Sequence, residues 1–227
     1  MIYFYIRSWI KNSFLYPLIK PIWRIYFKKR SKYLMAKYAQ KCLESVKTIL
    51  DEHDILFWLN WGTLLGAYRD RDFIPYDSDI DIGVFSDDAK LIKEIMKDTD
   101  FCFSHEYQIC DGESIQTIQL SYTYNSLVVD FYFYIYSLDK TSIYGYDLYE
   151  LDKNTKKEVG RYELPLNGFE TIILKGKCYN IPSNTRQFLE AFYGVDFMIP
   201  KPDFLGTPLP CVKFSIEELY GIVNLKR

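Results

Sequence analysis

The chain has 227 residues, 48% of them hydrophobic and 26% charged, which suits one well-buried domain with at most a small appendage. The net charge of −2 conceals an asymmetry: residues 1–41 carry ten Lys or Arg and no acid, leaving eighteen basic residues against thirty acidic ones in the remainder. A basic arm on an acidic body argues against nucleic acid, which the body would repel, and for an anionic membrane surface as the arm's partner.

In chain order, residues 1–33 form the basic aromatic arm. Arg7, Lys11, Lys20 and Arg24 interrupt every apolar run, so none reaches the ~20 residues that cross a bilayer. The charge-then-apolar-then-small order of a secretion signal is missing. Pro17 and Pro21 are expected to break or kink any helix here. Interleaved aromatic and basic side chains suit a segment lying in a membrane interface; packing on the body or on a second copy of the chain is the alternative. Residues 34–227 are read as one domain. Leu34, Tyr38, Cys42, Val46 and Leu50 recur every four residues, which predicts a helix to about Glu52. A short strand over Ile55–Asn60, a turn at Gly62–Thr63 and a helical stretch at Thr63–Tyr68 follow.

Asp79–Phe85 reads as a strand, and Ser86–Asp88 offers a cap for a helix over Ala89–Met96. Ser114–Tyr124 alternates, and Leu127–Tyr136 is a continuous β-branched and aromatic run, so both are predicted strands. "LPLNGFETIILKGKCYNIP" predicts strands joined by turns at Asn167–Gly168 and Lys175–Gly176. Thr185–Tyr193 is helical with Ser183 or Asn184 as its cap, and a Pro-rich tail from Pro200 to Pro210 ends in a short helix. The fold class is α+β: a mixed β-sheet flanked by helices.

Five scattered cysteines without a CxxC pair predict reduced thiols in a cytosolic compartment. Cys102, His105 and Cys110 lack a nearby fourth ligand for zinc. Core cysteines and a surface histidine are the better reading.

The informative stretch is "GTLLGAYRDRDFIPYDSDIDIGVF". Asp77, Asp79 and Asp81 fall on alternate residues as an apolar strand begins. In a strand Asp79 and Asp81 share a face about 7 Å apart and repel each other unless a cation lies between them. Oxygen ligands without His or Cys favour Mg²⁺ or Mn²⁺. Asp130 is a lone acid in the most apolar strand and needs a partner, either this metal or a basic side chain. Gly62–Thr63 forms a small-residue turn whose N–H groups could cradle phosphate.

The stretch "NWGTLLGAYRDRDFIPYDSDIDIGV" resembles the signature of the LicD/fukutin family within the nucleotidyltransferase superfamily. "VVDFYFY" matches that family's later aspartate, and "FLEAFYGVDFMIPKP" its C-terminal motif. Tyr76, Asp70 and Phe197 depart from residues common in the pattern. These departures spare the acidic residues but leave the substrate open. The resemblance covers roughly residues 40 to 203. It implies a nucleotidyltransferase-like fold and transfer of a phosphorylated alcohol, such as phosphocholine or ribitol phosphate, from a CDP-linked donor. The acceptor would be a hydroxyl of a cell-surface glycan (polysaccharide, lipopolysaccharide or teichoic acid), lipid-linked where the glycan is built at the membrane.

On this reading Asp79, Asp81 and Asp130 hold Mg²⁺ or Mn²⁺, and Asp130 or Asp77 accepts the acceptor proton. Gly62 and Thr63 hold phosphate oxygens. Arg69 neutralises the diphosphate or pairs with Asp70 or Asp72, and Arg186 is a further substrate contact. The enzyme would work at the inner face of the membrane, held by its arm. The alternatives are nucleotidyl transfer to a small molecule or protein, and a non-catalytic membrane-associated partner protein.

Overall fold

The computed structural model describes residues 16–111, 114–151, 156–201, 212–214 and 222–225. It begins with a 36-residue helix, α1 (Tyr16–Asp51). The helix contains Pro21 yet continues through it, contrary to the expected break. Pro17 falls in the first turn, where no intrahelical N–H bond is due, and Pro21 follows so closely that one lost bond is the main cost. From Leu34 onward α1 buries Leu34, Met35, Ala39, Cys42, Leu43, Val46 and Leu50 at three- and four-residue spacing. The preceding turns expose Ile22, Ile25, Tyr26 and Tyr33. Residues 1–15 of the arm lie outside the described residues.

After α1 come β1 (Phe57–Leu59), α2 (Trp61–Leu65) and a π-helical turn over Gly66–Asp70. They lead to β2 (Asp79–Phe85), a 3₁₀ turn at Ser86–Asp88 and α3 (Ala89–Ile95). Strands β3 (Cys102–Asp111), β4 (Ser114–Tyr124) and β5 (Leu127–Tyr136) follow. A long hairpin is formed by β6 (Ser142–Leu151) and β7 (Lys156–Pro165). A small separate hairpin pairs β8 (Phe169–Leu174) with β9 (Lys177–Pro182). It turns at Lys175–Gly176, where both residues have positive φ (50° and 78°), the backbone a two-residue hairpin turn requires. By contrast, Asn167–Gly168 joins β7 to a strand of another sheet, not a hairpin. Helix α4 spans Thr185–Tyr193 after Asn184, which makes no side-chain capping bond. Short strands β10 (Val212–Phe214) and β11 (Ile222–Leu225) complete the described elements. A tail helix between them would lie outside the described residues.

The main sheet is mixed. Among the described residues its order is β10-β7-β6-β5-β4-β3-β11, with β2 on the other edge of β5 and β1 beyond it. β5 is the organiser. It pairs antiparallel with β4 over Leu127–Tyr132, antiparallel with β6 at Ile135–Tyr136, and parallel with β2 from Val128 to Tyr134. The β2–β5 connection is a crossover through α3, β3 and β4, as a parallel pair requires. The C-terminal half of α1 covers one face, and the inward residues Ile80, Ile82, Val84, Val129, Phe131 and Phe133 are all at most 1% exposed. This apolar layer holds β2 and β5 in register and places their polar residues on the opposite face.

Candidate active site

On that opposite face, the parallel register sets Asp81 directly beside Asp130. Ligand oxygens of Asp77, Asp79 and Asp81 lie within 4.8 Å of one another, the one such group of three or more His, Cys, Asp or Glu among the described residues. Cys102 is exposed, contrary to the expectation of a core cysteine, because its strand position turns it to solvent; His105 is half-buried, and the side chain of Cys110 lies outside the described residues.

The local backbone is built around Asp81. The N–H of Gly62, in the first turn of α2, donates to Asp81 Oδ2 (3.0 Å). The Asp81 N–H donates to Thr63 Oγ1 (2.9 Å), and the Asn60 N–H to the Asp81 carbonyl (3.1 Å). The two small residues expected to face phosphate thus also lock the central carboxylate in place. Gly62 has no room for a side chain: a Cβ would sit 2.2 Å from Asp77 Oδ2 and 3.3 Å from Asp81 Oδ2. Trp61, which starts α2, has φ +38°, a costly conformation for a bulky residue. Its ring stacks on Phe192 of α4 at 4.0 Å, which anchors the turn.

Electrostatically the cluster is under tension. Burial first, then the Asp79 charge, pushes Asp77 up to about 7. Asp79 is raised chiefly by burial. Asp81 is raised well above the carboxylate range by burial and by Asp79, Asp77 and Asp130, against the Gly62 N–H. Burial and Asp79 lift Asp130 to about 7, while hydrogen bonds from Ser121 and Gln119 pull it down. Among the described residues no Lys or Arg forms an ion pair with any of the four. Asp130 therefore has no basic partner of the kind that would make it a plain structural ion pair. Converging, unneutralised carboxylate oxygens are the donor set of a hard divalent cation, so the residues fit Mg²⁺ or Mn²⁺.

Arg69 stands on the π-helical turn with its side chain 5% exposed. It binds Asp70 through Nε (2.8 Å) and Nη2 (2.7 Å), and its Nη1 donates to the Phe197 carbonyl (3.4 Å). Of the two carboxylates foreseen as partners it takes Asp70, because Asp72 is held by Lys175. Arg186 is two-thirds exposed, pairs with Glu190 and lies 6.0 Å from the Phe197 ring. Phe197 is thus touched by both arginines, but the contacts of Arg186 are with α4 and this ring rather than with the carboxylates.

Sequence reasoning passed over Tyr193. Burial and the charges of Asp81, Asp77 and Asp79 raise its hydroxyl well above 10, which places it against the cluster from α4. Tyr132 is raised likewise by burial, Asp81, Asp130 and Asp79, and lies two residues beyond Asp130 on the same strand face. Tyr132 was legible from that alternation. Tyr193 depends on how α4 docks, which no local pattern records.

A family model described as "LicD/FKTN/FKRP, nucleotidyltransferase domain" matches residues 54–184. The chain is 27% identical over 165 residues to human "Ribitol-5-phosphate transferase FKTN", covering 72% of this chain and 34% of that protein. It is 42% identical over 41 residues to mouse "Ribitol 5-phosphate transferase FKRP", covering 18% of this chain and 8% of that protein. An uncharacterized Rickettsia prowazekii protein, RP689, is 33% identical over 73 residues, 30% of this chain and 27% of its own length. The chain therefore spans about a third of the fukutin protein it matches. Among solved structures, the lincosamide antibiotic adenylyltransferase LnuA aligns with a TM-score of 0.43 at 15% identity, over 66% of this chain and 83% of that one. The family model takes in the Gly62 turn, all four carboxylates of the cluster and both strands that carry them, and the chain belongs to the LicD/FKTN/FKRP family.

Proposed function

We propose that the protein is a Mg²⁺- or Mn²⁺-dependent phosphotransferase that moves a phosphorylated alcohol from a CDP-linked donor to a hydroxyl of a cell-surface glycan. The observation that carries this reading is the convergence of the Asp77, Asp79 and Asp81 carboxylates, with Asp130 beside Asp81 on the neighbouring strand and no Lys or Arg paired with any of them among the described residues. Such an arrangement costs stability and is sustained where a divalent cation and a diphosphate belong. The fukutin-type relatives are ribitol 5-phosphate transferases by name, so a CDP-linked ribitol is the first donor to test, with a choline donor beside it.

Asp79, Asp81 and Asp130 would hold the cation, which when bound neutralises the donor diphosphate. Asp77, or Asp130, takes the proton of the acceptor hydroxyl. The freed oxygen bonds to the phosphorus bearing the alcohol, and the bond from that phosphorus to the CMP oxygen breaks. Gly62 and Thr63 fix Asp81 and line the donor phosphates. Arg69 is fixed by Asp70 and offers positive charge nearby. Tyr132 and Tyr193 present aromatic walls on which a sugar or base could lie.

The exposed apolar stripe of α1 (Ile22, Ile25, Tyr26, Tyr33) is interleaved with Lys28, Lys29, Arg30 and Lys32, a composition suited to the surface of an anionic bilayer. No helix among the described residues is long and apolar enough to cross a membrane. Residues 1–33 would thus hold the catalytic domain at the cytoplasmic face, where lipid-linked glycans are accessible. Cosedimentation with phosphatidylserine vesicles, lost when the exposed apolar residues become Ser, checks this part separately.

The test of the reaction is thermal stability against CDP-ribitol, CDP-choline, CDP, CMP, UDP and nucleoside triphosphates, each with and without Mg²⁺. A Mg²⁺-dependent rise with one CDP-alcohol, absent in Asp79→Ala and Asp81→Ala, supports the proposal and names the donor. Stabilisation by nucleoside triphosphates alone favours nucleotidyl transfer to a small molecule or protein, the reading that the domain's family description also supports. No shift with any nucleotide would refute the reaction and favour a non-catalytic partner protein.

A further inference from the structure

The polar row on the site face extends past the carboxylates across the sheet. Cross-strand register pairs Asp81 on β2 with Asp130 on β5, Asp130 with Ser121 on β4, and Ser121 with His105 on β3. Four successive strands thus contribute one residue each to a single line. The last member joins only because of a register shift between Phe103 and His105, an irregularity that leaves Ser104 without a cross-strand partner. A one-residue bulge re-aims the residues after it, a device common beside active sites.

The hydrogen bonds along this line have one direction. The Ser121 hydroxyl donates to Asp130 Oδ1. Its oxygen receives the Gln119 amide (3.2 Å) and stands 3.1 Å from His105 Nε2. Ser104 Oγ lies 3.1 Å from His105 Nδ1. With Ser121 fully buried, its single proton committed to Asp130 and its two lone pairs taken by Gln119 and the His105 Nε2–H, the hydroxyl has no other orientation. Ser104 Oγ holds the other ring nitrogen, Nδ1. The chain Ser104–His105–Ser121 ends on Oδ1 of Asp130.

We propose that Ser121 and His105 are positioning residues: they hold Asp130 as a ligand of the divalent cation, Ser121 directly and His105 by orienting Ser121. This rests on the reading of the acidic cluster as a cation site. Partners that grip a metal-binding carboxylate from behind are typically worth about 10–100-fold in metal affinity. Ser121 shares this service with Gln119, which also hydrogen-bonds Asp130, whereas Asp81 is gripped by Gly62.

The test is Mn²⁺ titration of the full chain, followed by paramagnetic resonance of the free ion, with melting curves in chelator alongside. Ser121→Ala is expected to weaken Mn²⁺ binding about 10–100-fold, and Ser121→Thr, which keeps the hydroxyl on a β-compatible side chain, to restore it. His105→Ala should weaken binding by a smaller factor, and His105→Gln, which puts an amide N–H where Nε2 stood, should recover it. In the Ser121→Ala background His105→Ala should cost nothing more, because it acts through the serine. Wild-type affinity in Ser121→Ala, with binding abolished in Asp79→Ala, overturns the positioning role and leaves the cation site standing. A lower melting temperature with unchanged Mn²⁺ affinity in folded His105→Ala reduces the row to a structural one and also overturns it. Failure of the wild type to bind Mn²⁺, or equal binding by Asp79→Ala, overturns the proposal together with the reading on which it rests.

Discussion

Replacing Asp130 by Asn is expected to stabilise the cation-free protein at pH 8 while removing its response to Mg²⁺. Asn keeps the shape and still accepts the Ser121 proton, so what is deleted is one charge from a crowded site. The Asp130 carboxyl is held at about 7 against an ordinary 3.8. Below about pH 4 both folded and unfolded chains carry the proton. As pH rises the unfolded chain releases it first, and the folded chain holds it until about 7. The wild type therefore loses stability between pH 4 and 7 and levels off above. A displacement of roughly three units at 1.36 kcal/mol per unit gives an upper figure of about 4 kcal/mol. Because the neighbouring carboxylates can take up protons and relieve Asp130, about 2–4 kcal/mol is the expected recovery in Asp130→Asn, or about 4–15 °C for a domain of this size. The assay is thermal unfolding in chelator at pH 5 and pH 8, then with Mg²⁺. The variant should be more stable at pH 8, less pH-dependent, and indifferent to Mg²⁺. If it is less stable than wild type at pH 8 in chelator, the carboxylates are not in mutual repulsion and the argument for the cation site falls.

Gly62→Ala should cost about 10–100-fold in transfer activity while melting within a few degrees of wild type, because the new methyl displaces the Asp77 carboxylate rather than the helix. Tyr134→Phe removes the hydroxyl that links Asn60 (2.9 Å) and Tyr162 (3.0 Å) beneath the site, taking a hydrogen-bond partner from each of two buried polar groups. Denaturant unfolding should show a loss of about 1–3 kcal/mol. Lys93→Met strips Glu106, 4% exposed, of its ion pair while Thr117 and Gln108 still donate to it, so about 2 kcal/mol should be lost in the same assay with transfer activity unchanged.

The elements that carry the chemistry were those most legible in sequence. β2, β4, β5 and α4 fall where alternation, the apolar run and helical spacing place them, since each shows one strong periodic signal to a deep core. β3 and β6 went unread, and of β7 only its end at Leu164–Pro165 was read as strand. Their aromatic, charged and glycine residues obey no clean alternation, and long-range ladders rather than local patterning hold them in the sheet. The acidic cluster itself was visible because alternate aspartates entering a core strand demand an explanation. Which side of β5 would face β2, and that Asp130 would sit exactly opposite Asp81, depended on a crossover that sequence spacing cannot count. The misjudged orientation at Cys102 and His105 has the same origin, as one irregularity in β3 decides which residues turn inward. The break expected at Pro21 does not occur because a proline near a helix start costs little, a positional effect that residue type alone hides.

The parallel pairing of β2 with β5 also has a kinetic consequence. Its two strands are separated in the chain by a helix and two strands, so their contact closes a long loop and belongs after the local hairpins in folding. The same closure brings Asp81 up against Asp130, so like charges meet at the moment this non-local contact forms. A cation available during synthesis would ease this step and so accelerate refolding, and a chain starved of it would linger with β2 unpaired and its apolar face open to other chains.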